Sequence, residues 1–177
     1  MKNLLIFGLT IIMIFFKTSS HAKYEKIFYD FKINSISGDI IDLSEFKGKP
    51  VLLVNTASYC GFTKQYEDMQ KLWENYRERG LVVLGIPSNS FNQEKKVNSE
   101  VKKFCEINFN INFPLTEITD VKGDNASPLF KFLEDQSGRE IQWNFSKFLI
   151  NKNGEFVKGF GTQKTPEMIE DSIKEIL

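Results

Sequence analysis

The sequence predicts an α/β fold in which helices flank a central mixed sheet and a β-hairpin precedes it. The apolar runs 51–54 and 81–86 are typical of buried strands, and the segment between them has apolar residues at helical spacing. Strand, helix and strand in this order form a parallel βαβ unit. Later in the chain, the runs 145–150 and 155–160 flank Asn153-Gly154, a dipeptide typical of type I′ hairpin turns. The length of 177 residues favours a single folded domain.

The first elements follow from local patterns. A short N-terminal hairpin is expected from the runs 31–33 and 40–43 around Ser37-Gly38. The first helix is expected to begin near Phe62 and to end before Gly80, because glycine commonly follows the last residue of a helix.

The remaining helices begin after the second buried strand. One helix face is predicted to consist of Val97, Val101, Phe104 and Cys105. Ser127-Pro128 and Thr165-Pro166 each place a capping residue before proline, which predicts the start of a third helix and of a closing helix. The order ββ, βαβ, α and ββα is that of a thioredoxin-like sheet, an assignment made by analogy.

Residues 1–22 have the three-part pattern of a secretory signal peptide. Lys2 gives a positive start, the run 4–16 is apolar, and Ser20-His21-Ala22 predicts cleavage after Ala22. The expectation is an exported protein of the bacterial periplasm with one mature domain, residues 23–177. An uncleaved leader that anchors the chain is the alternative, but the run is shorter than the ~20 residues that span a bilayer. No later stretch is long or apolar enough to be a stable membrane span.

Composition excludes several classes of function. The formal net charge is zero and no basic block is present, which argues against nucleic-acid binding. The single histidine, His21, lies in the leader, so the mature protein would have no Ser-His-Asp triad and no histidine-ligated metal. The two cysteines are too few for a zinc site. We therefore expect neither a metal nor a bound cofactor.

The position of Cys60 in the predicted fold favours a functional cysteine. It follows the first buried strand and precedes a helix, so unpaired backbone N–H groups and the positive end of the helix dipole would stabilise its thiolate. Loops at the carboxyl ends of parallel strands hold the sites of open α/β sheets. The alternative is a buried and inert cysteine.

Cys105 shares a predicted helix face with Val101, so burial is the default expectation. In an oxidising compartment it could form a structural disulfide with Cys60, which would stabilise the fold by about 4 kcal/mol. That alternative describes a secreted thioredoxin-like binding or redox-sensing domain. The other interpretation is a reversible pair in which one cysteine attacks and the other resolves. A thiol–disulfide oxidoreductase is disfavoured, because Cys60 has no second cysteine nearby.

Gln93, Trp143 and Asn144 lie in two other loops that could converge on Cys60. Amide and indole N–H groups are uncharged donors, and they can hold a thiolate and orient a peroxide oxygen without histidine. Taken singly, Trp143 is more typical of a core, and Gln93 and Asn144 are more typical of solvated loops.

These residues also carry a family resemblance. The sequence resembles the glutathione peroxidase family, in its cysteine-containing rather than selenocysteine-containing form. The matching segments, in the right order, are residues 55–63 (NTASYCGFT), 80–89 (GLVVLGIPSN), 104–109 (FCEINF) with 113–115 (FPL), and 143–149 (WNFSKFL).

The resemblance implies a thioredoxin-like fold and an oxidoreductase, a peroxidase that reduces hydrogen peroxide or organic and lipid hydroperoxides in response to oxidative stress. The catalytic tetrad that it implies is Cys60, Gln93, Trp143 and Asn144. Cys105 resembles the resolving cysteine of the thioredoxin-dependent branch. The implied partners are a hydroperoxide substrate and an external reductant, either a thioredoxin-like dithiol or glutathione.

Three local features refine the resemblance. Residues 91–95 (FNQEK) are one residue shorter than the Phe-Gly-x-Gln-Glu-Pro usual in the family. Ser88 stands where many members have a further cysteine, so Cys105 is the single candidate partner of Cys60. The stretch 114–127 lacks the extra segment of tetrameric members, which resembles the monomeric type.

Overall fold

The computed structural model describes residues 26–177, and the predicted leader, residues 1–22, lies outside the described residues. The expected N-terminal hairpin is present: β1 (Lys32–Asn34) pairs antiparallel with β2 (Ile40–Asp42). Gly38 lies in the connecting turn at a φ of 95°, a conformation that glycine adopts without steric cost.

The central sheet has four strands, namely β3 (Val51–Thr56), β4 (Val82–Pro87), β5 (Lys147–Ile150) and β6 (Phe156–Phe160). Their spatial order is β4-β3-β5-β6. β3 and β4 are parallel, as the βαβ unit requires, whereas β5 runs antiparallel to β3 and β6 antiparallel to β5. The sheet is therefore mixed, and the carboxyl ends of β3 and β4 share an edge with the start of β5.

Helices cover both faces of this sheet. They are α1 (Gln65–Tyr76), α2 (Asn98–Phe109), α3 (Pro128–Ser137) and α4 (Glu170–Lys174). Buried residues of α1, α2 and α4 belong to one hydrophobic core, and those of α3 belong to a second core with the N-terminal segment. Within residues 26–177, no helix is long and apolar enough to cross a membrane.

Strand β3 separates the two cores. Leu52 and Val54 face the core of α1 and α2, whereas Val51 and Leu53 face the core of α3. Successive side chains of a strand point to opposite faces, so a strand with a core on each side is apolar throughout. This packing explains why the sequence shows continuous apolar runs rather than an alternating pattern.

The starts of α1 and β5 differ from the sequence prediction by two or three residues. Helix α1 begins at Gln65 rather than near Phe62, because the Thr63 hydroxyl donates to the carbonyls of Ala57 and Cys60 at 2.8 and 2.7 Å and holds the preceding residues in turns. Strand β5 begins at Lys147 rather than at residue 145, because Phe145 has a φ of 60°, outside the range of strands.

The hairpin between β5 and β6 is present, but its predicted type I′ turn is wrong. Such a turn needs positive φ at both central residues, and of Asn153 and Gly154 only the glycine has it, at 80°. Instead, the side-chain oxygen of Asn151 accepts hydrogen bonds from the backbone N–H groups of Asn153 and Glu155 at 2.9 and 3.0 Å. This Asx-type arrangement shapes the turn from one of its ends.

The two predicted cap–proline pairs differ. The Thr165 hydroxyl accepts a hydrogen bond from the Met168 backbone N–H at 3.3 Å, as a capping residue does. Ser127 precedes α3, but its hydroxyl makes no capping hydrogen bond. Pro128 and the buried apolar face of α3 are therefore what favour a helix at that position.

Candidate active site

Asn55, near the end of β3, joins the loop of Cys60 to the segment that enters β5. Its carbonyl accepts a hydrogen bond from the Phe145 N–H at 2.7 Å, and its side-chain oxygen accepts one from the Ser146 N–H at 2.9 Å. Its side-chain amide donates to the Trp143 carbonyl at 3.3 Å. Asn55 therefore fixes the residues around position 144 at the sheet edge where β3 ends.

Cys60 lies in the loop that joins β3 to α1. Its side chain is 7% exposed, and its Sγ accepts a hydrogen bond from the Phe62 backbone N–H at 3.5 Å. Among the residues that the structure describes, the Phe62 N–H is the one hydrogen-bond donor to Cys60 Sγ. The thiol thus lies near the surface and faces a backbone donor, the kind of surrounding that the sequence predicted.

Gln93 and Asn144 are brought together beside this loop. The Asn144 amide donates to the Gln93 side-chain oxygen at 3.0 Å, and the Gln93 carbonyl accepts the backbone N–H of Tyr59 at 2.9 Å. Asn144 is fully buried rather than solvated, and its carbonyl accepts the Thr162 hydroxyl at 2.7 Å. The structure therefore places this amide pair against the residue that precedes Cys60.

Trp143 lies at the surface rather than in the core, with 41% of its area exposed. Its ring lies 5.1 Å from that of Phe91, between centroids, and the Lys122 ammonium lies 5.5 Å from the Phe91 ring. In this structure the indole does not donate to Cys60, and neither do the amides of Gln93 and Asn144. The four predicted residues thus lie on adjoining loops, with a direct contact between Gln93 and Asn144.

The shortened loop before Gln93 contains a left-handed residue. Asn92 has a φ of 57°, and its backbone N–H donates to the Asn89 carbonyl at 2.9 Å. Asparagine adopts this conformation more readily than other residues with a side chain. Asn92 therefore supplies the tight turn before Gln93, and Gln93 reaches Asn144.

Cys105 has different surroundings. It lies on α2, fully buried in the same core as Val101 and Tyr66, and both cysteines are free thiols. Burial raises the pKa of the Cys105 thiol to about 11, the nearby Tyr66 hydroxyl lowers it, and the charges of Glu94 and Glu106 raise it further. The Cys105 thiol is therefore protonated and shielded when the helix is intact.

Comparison with known proteins decides the family. Residues 28–134 match the family model of glutathione peroxidase. The chain belongs to the glutathione peroxidase family. It is therefore a peroxidase, as the sequence predicted.

Relatives match over nearly the whole described chain. A glutathione peroxidase of Lactococcus lactis is 41% identical over 155 residues, which cover 85% of this chain and 99% of that protein. The hydroperoxy fatty acid reductase gpx1 of Synechocystis is 41% identical over 167 residues, which cover 88% and 99%.

Solved structures agree in fold. The crystal structure of T. cruzi GPX1 matches with a TM-score of 0.70 at 33% identity and covers 85% of this chain and 96% of that one. A thiol:disulfide interchange protein of the thioredoxin family from Chlorobium tepidum matches with a TM-score of 0.63 at 17% identity, covering 82% and 92%. The predicted thioredoxin-like fold is therefore confirmed.

Glu94 is a buried carboxylate near the site that sequence reasoning did not single out. One of its oxygens accepts the backbone N–H groups of Ser58 and Lys95 at 3.1 and 2.7 Å. Burial raises the pKa of Glu94, whereas the hydrogen-bonding groups of Ser58 and Lys95 lower it. Because Glu94 is followed by two lysines, the sequence there reads as a solvated charged loop, and the one signal is its position directly after Gln93.

Lys147 on β5 is a second buried charge that was missed. Its ammonium donates to the side-chain oxygen of Gln65 and, at 3.3 Å, to the carbonyl of Thr162. Burial lowers the Lys147 pKa to about 7, and Asp68 opposes this shift. The hydroxyl of the same Thr162 donates to the Asn144 carbonyl, so Thr162 connects the buried lysine to the Gln93–Asn144 pair.

Proposed function

We propose that this chain is a thiol peroxidase that reduces hydrogen peroxide and organic or lipid hydroperoxides in defence against oxidative stress. In this proposal Cys60 attacks the peroxide and Cys105 resolves the product. The observation that carries it is the arrangement of Cys60 beside the Gln93–Asn144 pair, with a backbone N–H on its Sγ. Family membership supports the reaction class.

In the first step the Cys60 thiolate attacks the distal oxygen of the peroxide. The S–O bond forms as the O–O bond breaks, so the thiol becomes a sulfenic acid and the other oxygen leaves as water or alcohol after taking up a proton. Gln93, Trp143 and Asn144 form no hydrogen bond with Sγ in this structure; in this proposal they donate hydrogen bonds to the sulfur and to the developing negative charge on oxygen once the peroxide is bound. Residues 26–177 contain no histidine, so in this proposal uncharged donors take this role.

In the second step Cys105 condenses with the sulfenic acid to give a disulfide and water. Cys105 is fully buried on α2, so that helix has to open locally before the two sulfur atoms meet. An external dithiol then reduces the disulfide by thiol–disulfide exchange and returns both thiols.

Exposed aromatic side chains favour apolar hydroperoxides as substrates. Trp143 and Tyr59 are 41% and 63% exposed, and the half-buried Phe91 contacts Trp143. Together they give the surroundings of the Cys60 loop an apolar surface on which an acyl chain can rest. The Synechocystis relative, which is named a hydroperoxy fatty acid reductase, supports the same substrate class.

The proposal extends to the reductant and the compartment. The reductant is a thioredoxin-like dithiol, with glutathione as the alternative, and no bound cofactor takes part. The protein acts as a monomer in the bacterial periplasm after cleavage behind Ala22. The leader pattern supports the location, and the short 114–127 stretch supports the monomer.

The test is peroxide turnover with a thioredoxin-like dithiol or with glutathione as donor. Cys60→Ser is expected to lower turnover by about 10³-fold or more with either donor, as loss of a catalytic nucleophile does. Cys105→Ser is expected to keep the first attack, seen as one sulfenic acid per chain, and to stop cycling with the dithiol.

Two outcomes would contradict the proposal. Full turnover by Cys60→Ser would remove the attacking role of Cys60. If Cys105→Ser turned over peroxide with the dithiol as fast as the wild type, the mechanism would need only Cys60. The external thiol would then react directly with the sulfenic acid. Titration of free thiols before peroxide is added is the control, because a structural disulfide leaves none to titrate.

A further inference from the structure

The peptide unit between Asn144 and Phe145 carries backbone strain inside the candidate site. Phe145 has a φ of 60°, a value that residues with bulky side chains rarely adopt. Its ring is fully buried and packs edge-on against Tyr66, with ring centroids 5.5 Å apart. Rotating this peptide unit by about half a turn would bring the Phe145 φ to roughly −120°, an unstrained extended value. Surrounding contacts must therefore hold the peptide unit in its strained orientation.

Both polar ends of this peptide unit are hydrogen-bonded. The Phe145 N–H donates to the Asn55 carbonyl at 2.7 Å, and the Asn144 carbonyl accepts the Thr162 hydroxyl at 2.7 Å. Only the second of these bonds comes from a side chain, so it is the one that a substitution can remove. A buried carbonyl without a donor is costly, and loss of the Thr162 hydroxyl would therefore favour rotation of the peptide unit.

Thr162 is itself fixed to the helix that follows Cys60. Its carbonyl accepts the side-chain amide of Gln65 at 2.8 Å and the ammonium of Lys147 at 3.3 Å. Gln65 is the first residue of α1, and its backbone N–H donates to the Phe62 carbonyl at 2.9 Å. The Phe62 N–H is the group that donates to the Cys60 sulfur. The threonine therefore connects the loop of the nucleophile to the amide pair.

The amide pair depends on the orientation of this peptide unit. The Asn144 side chain donates to the Gln93 side-chain oxygen at 3.0 Å. Because Asn144 begins the peptide unit, a rotation there would move its backbone and disturb this hydrogen bond. Groups that stabilise a reacting oxygen have to be placed closely, since an error of about 1 Å can cost about 10²-fold in rate.

We propose that Thr162 is a positioning residue for the peroxide reaction. Its hydroxyl holds the Asn144–Phe145 peptide unit in the strained orientation, and thereby keeps the Asn144 amide in place. This inference rests on the proposed function, in which Gln93 and Asn144 donate hydrogen bonds when Cys60 attacks the peroxide. Thr162 acts in that first step, which does not require α2 to open.

The experiment measures the first step in the full protein. Reduced protein is mixed with excess hydrogen peroxide and quenched with N-ethylmaleimide after set times, and loss of the Cys60 thiol is measured by mass spectrometry. Alkylation of Cys60 by iodoacetamide is followed in parallel, because in that reaction the sulfur attacks carbon and no oxygen has to be stabilised. Urea unfolding reports the stability of each variant.

Thr162→Val removes the hydroxyl and keeps the branched shape of the side chain. It is expected to slow oxidation of Cys60 about tenfold and to change the iodoacetamide rate less than about twofold. Thr162→Ser keeps a hydroxyl and should recover most of the oxidation rate. Thr162→Ala is a second variant without the hydroxyl, and it gives the same test if valine prevents folding.

Thr116→Val is the matched control. Thr116 is also buried, and its hydroxyl also donates to a backbone carbonyl, that of Glu117, at 2.9 Å. Its backbone N–H donates to the Gly85 carbonyl in the middle of β4, so its bonds lie outside the candidate site. This variant should leave both the oxidation rate and the iodoacetamide rate unchanged.

A double variant tests whether Thr162 acts through Asn144. Asn144→Ala is expected to slow oxidation about 10²-fold, as loss of one donor to a developing negative charge does. Adding Thr162→Val to Asn144→Ala should then change the rate less than about twofold, because the effects of residues that act as a unit do not add. A further tenfold loss in the double variant would overturn the inference.

Three other results would also overturn it. If Thr162→Val were oxidised at the wild-type rate, or if Thr162→Ser were as slow as Thr162→Val, the hydroxyl would have no positioning role. Equal slowing of oxidation and alkylation, or a similar slowing by Thr116→Val, would reduce Thr162 to a structural part of the fold. A wild-type rate in Asn144→Ala would instead contradict the proposed function, so the two failures are distinguishable.

Discussion

Cys60 and Cys105 belong to the same hydrophobic core, yet their surroundings are opposite. Cys60 lies in a loop with a backbone N–H directed at its sulfur, next to an exposed tyrosine and the Gln93–Asn144 amide pair. Cys105 lies inside a helix with no exposed area, and burial raises its pKa to about 11. The position of a cysteine along its element thus sets its chemistry, because a loop can present N–H groups that a helix interior has already used.

The largest expected effect is on the alkylation of Cys105. In a Cys60→Ser background at about pH 7, iodoacetamide should modify folded Cys105 about 100-fold more slowly than the same residue in urea, from the pKa difference alone. Burial should slow it further. Mass spectrometry of the modified fraction over time gives both rates.

The matched measurement is alkylation of Cys60 in a Cys105→Ser background, where folding should protect far less. If Cys105 were modified at similar rates in the folded and unfolded chains, the inference that folding shields Cys105 more than Cys60 would be wrong. Helix α2 would then have to be open in the reduced protein.

Cys105 and Lys147 should make the free energy of unfolding depend on pH in opposite directions. The Cys105 pKa is raised on folding from an ordinary value of 9.0 to about 11, so its contribution is present below about pH 9 and lost as the pH rises through about 11. The Lys147 pKa is lowered from about 10.4 to about 7, so its contribution is present at high pH and lost as the pH falls through 7.

Urea unfolding between about pH 7 and about pH 10.5 measures both. Cys105→Ser should flatten the alkaline loss of stability, whereas Lys147→Met should cost the protein less stability at neutral pH than at alkaline pH. Met replacement of the exposed Lys103 is the control and should leave the shape of the curve unchanged. If both variants changed the slope of unfolding free energy against pH in the same direction, the two groups would not have opposite effects on stability.

The smallest expected effect concerns a contact that joins the two regions. The Lys95 ammonium donates to the Tyr59 hydroxyl at 2.8 Å and lies 5.4 Å from the ring of Phe104 on α2. Phe104→Leu removes the α2 side of this contact, so disulfide formation after one equivalent of peroxide should become about two- to five-fold faster. The rate is read by mass spectrometry of the disulfide in samples quenched with N-ethylmaleimide after set times.

Ile107→Ala is the control for Phe104→Leu, because Ile107 is an exposed residue of the same helix. A similar acceleration in both variants would trace the effect to weakened helix packing rather than to the Lys95 contact. No acceleration would mean that opening of α2 does not limit disulfide formation.

Local patterns predicted the elements, and hydrogen bonds from side chains shifted their ends. The buried strands, both hairpins and α3 follow from apolar runs and turn residues within a few positions of one another. The start of α1 depends on the Thr63 hydroxyl, and the turn before β6 depends on the Asn151 side chain. Which carbonyl or N–H such a side chain will contact is set by three-dimensional structure, so the sequence pattern did not reveal it.

The candidate site was predicted as a set of residues, but their surroundings were not. Trp143 was expected in the core and is exposed, whereas Asn144 was expected in solvent and is buried. Glu94 and Lys147 carry charges that normally indicate a surface. They are buried because groups far away in sequence bind them, such as the Ser58 N–H and the Thr162 carbonyl. The roles of the four tetrad residues stay predictions that the variants above test.

The bond between Asn55 and Ser146 joins residues that are 91 positions apart. During synthesis, β3 and Cys60 leave the ribosome long before the segment that carries Asn144. Until β5 docks, one edge of β3 has no neighbour and the nucleophile has no amide pair beside it, so the growing chain depends on its last hairpin both to close the sheet and to finish the site. A chain that stops after α3 would carry a cysteine without the partners that direct its reactivity.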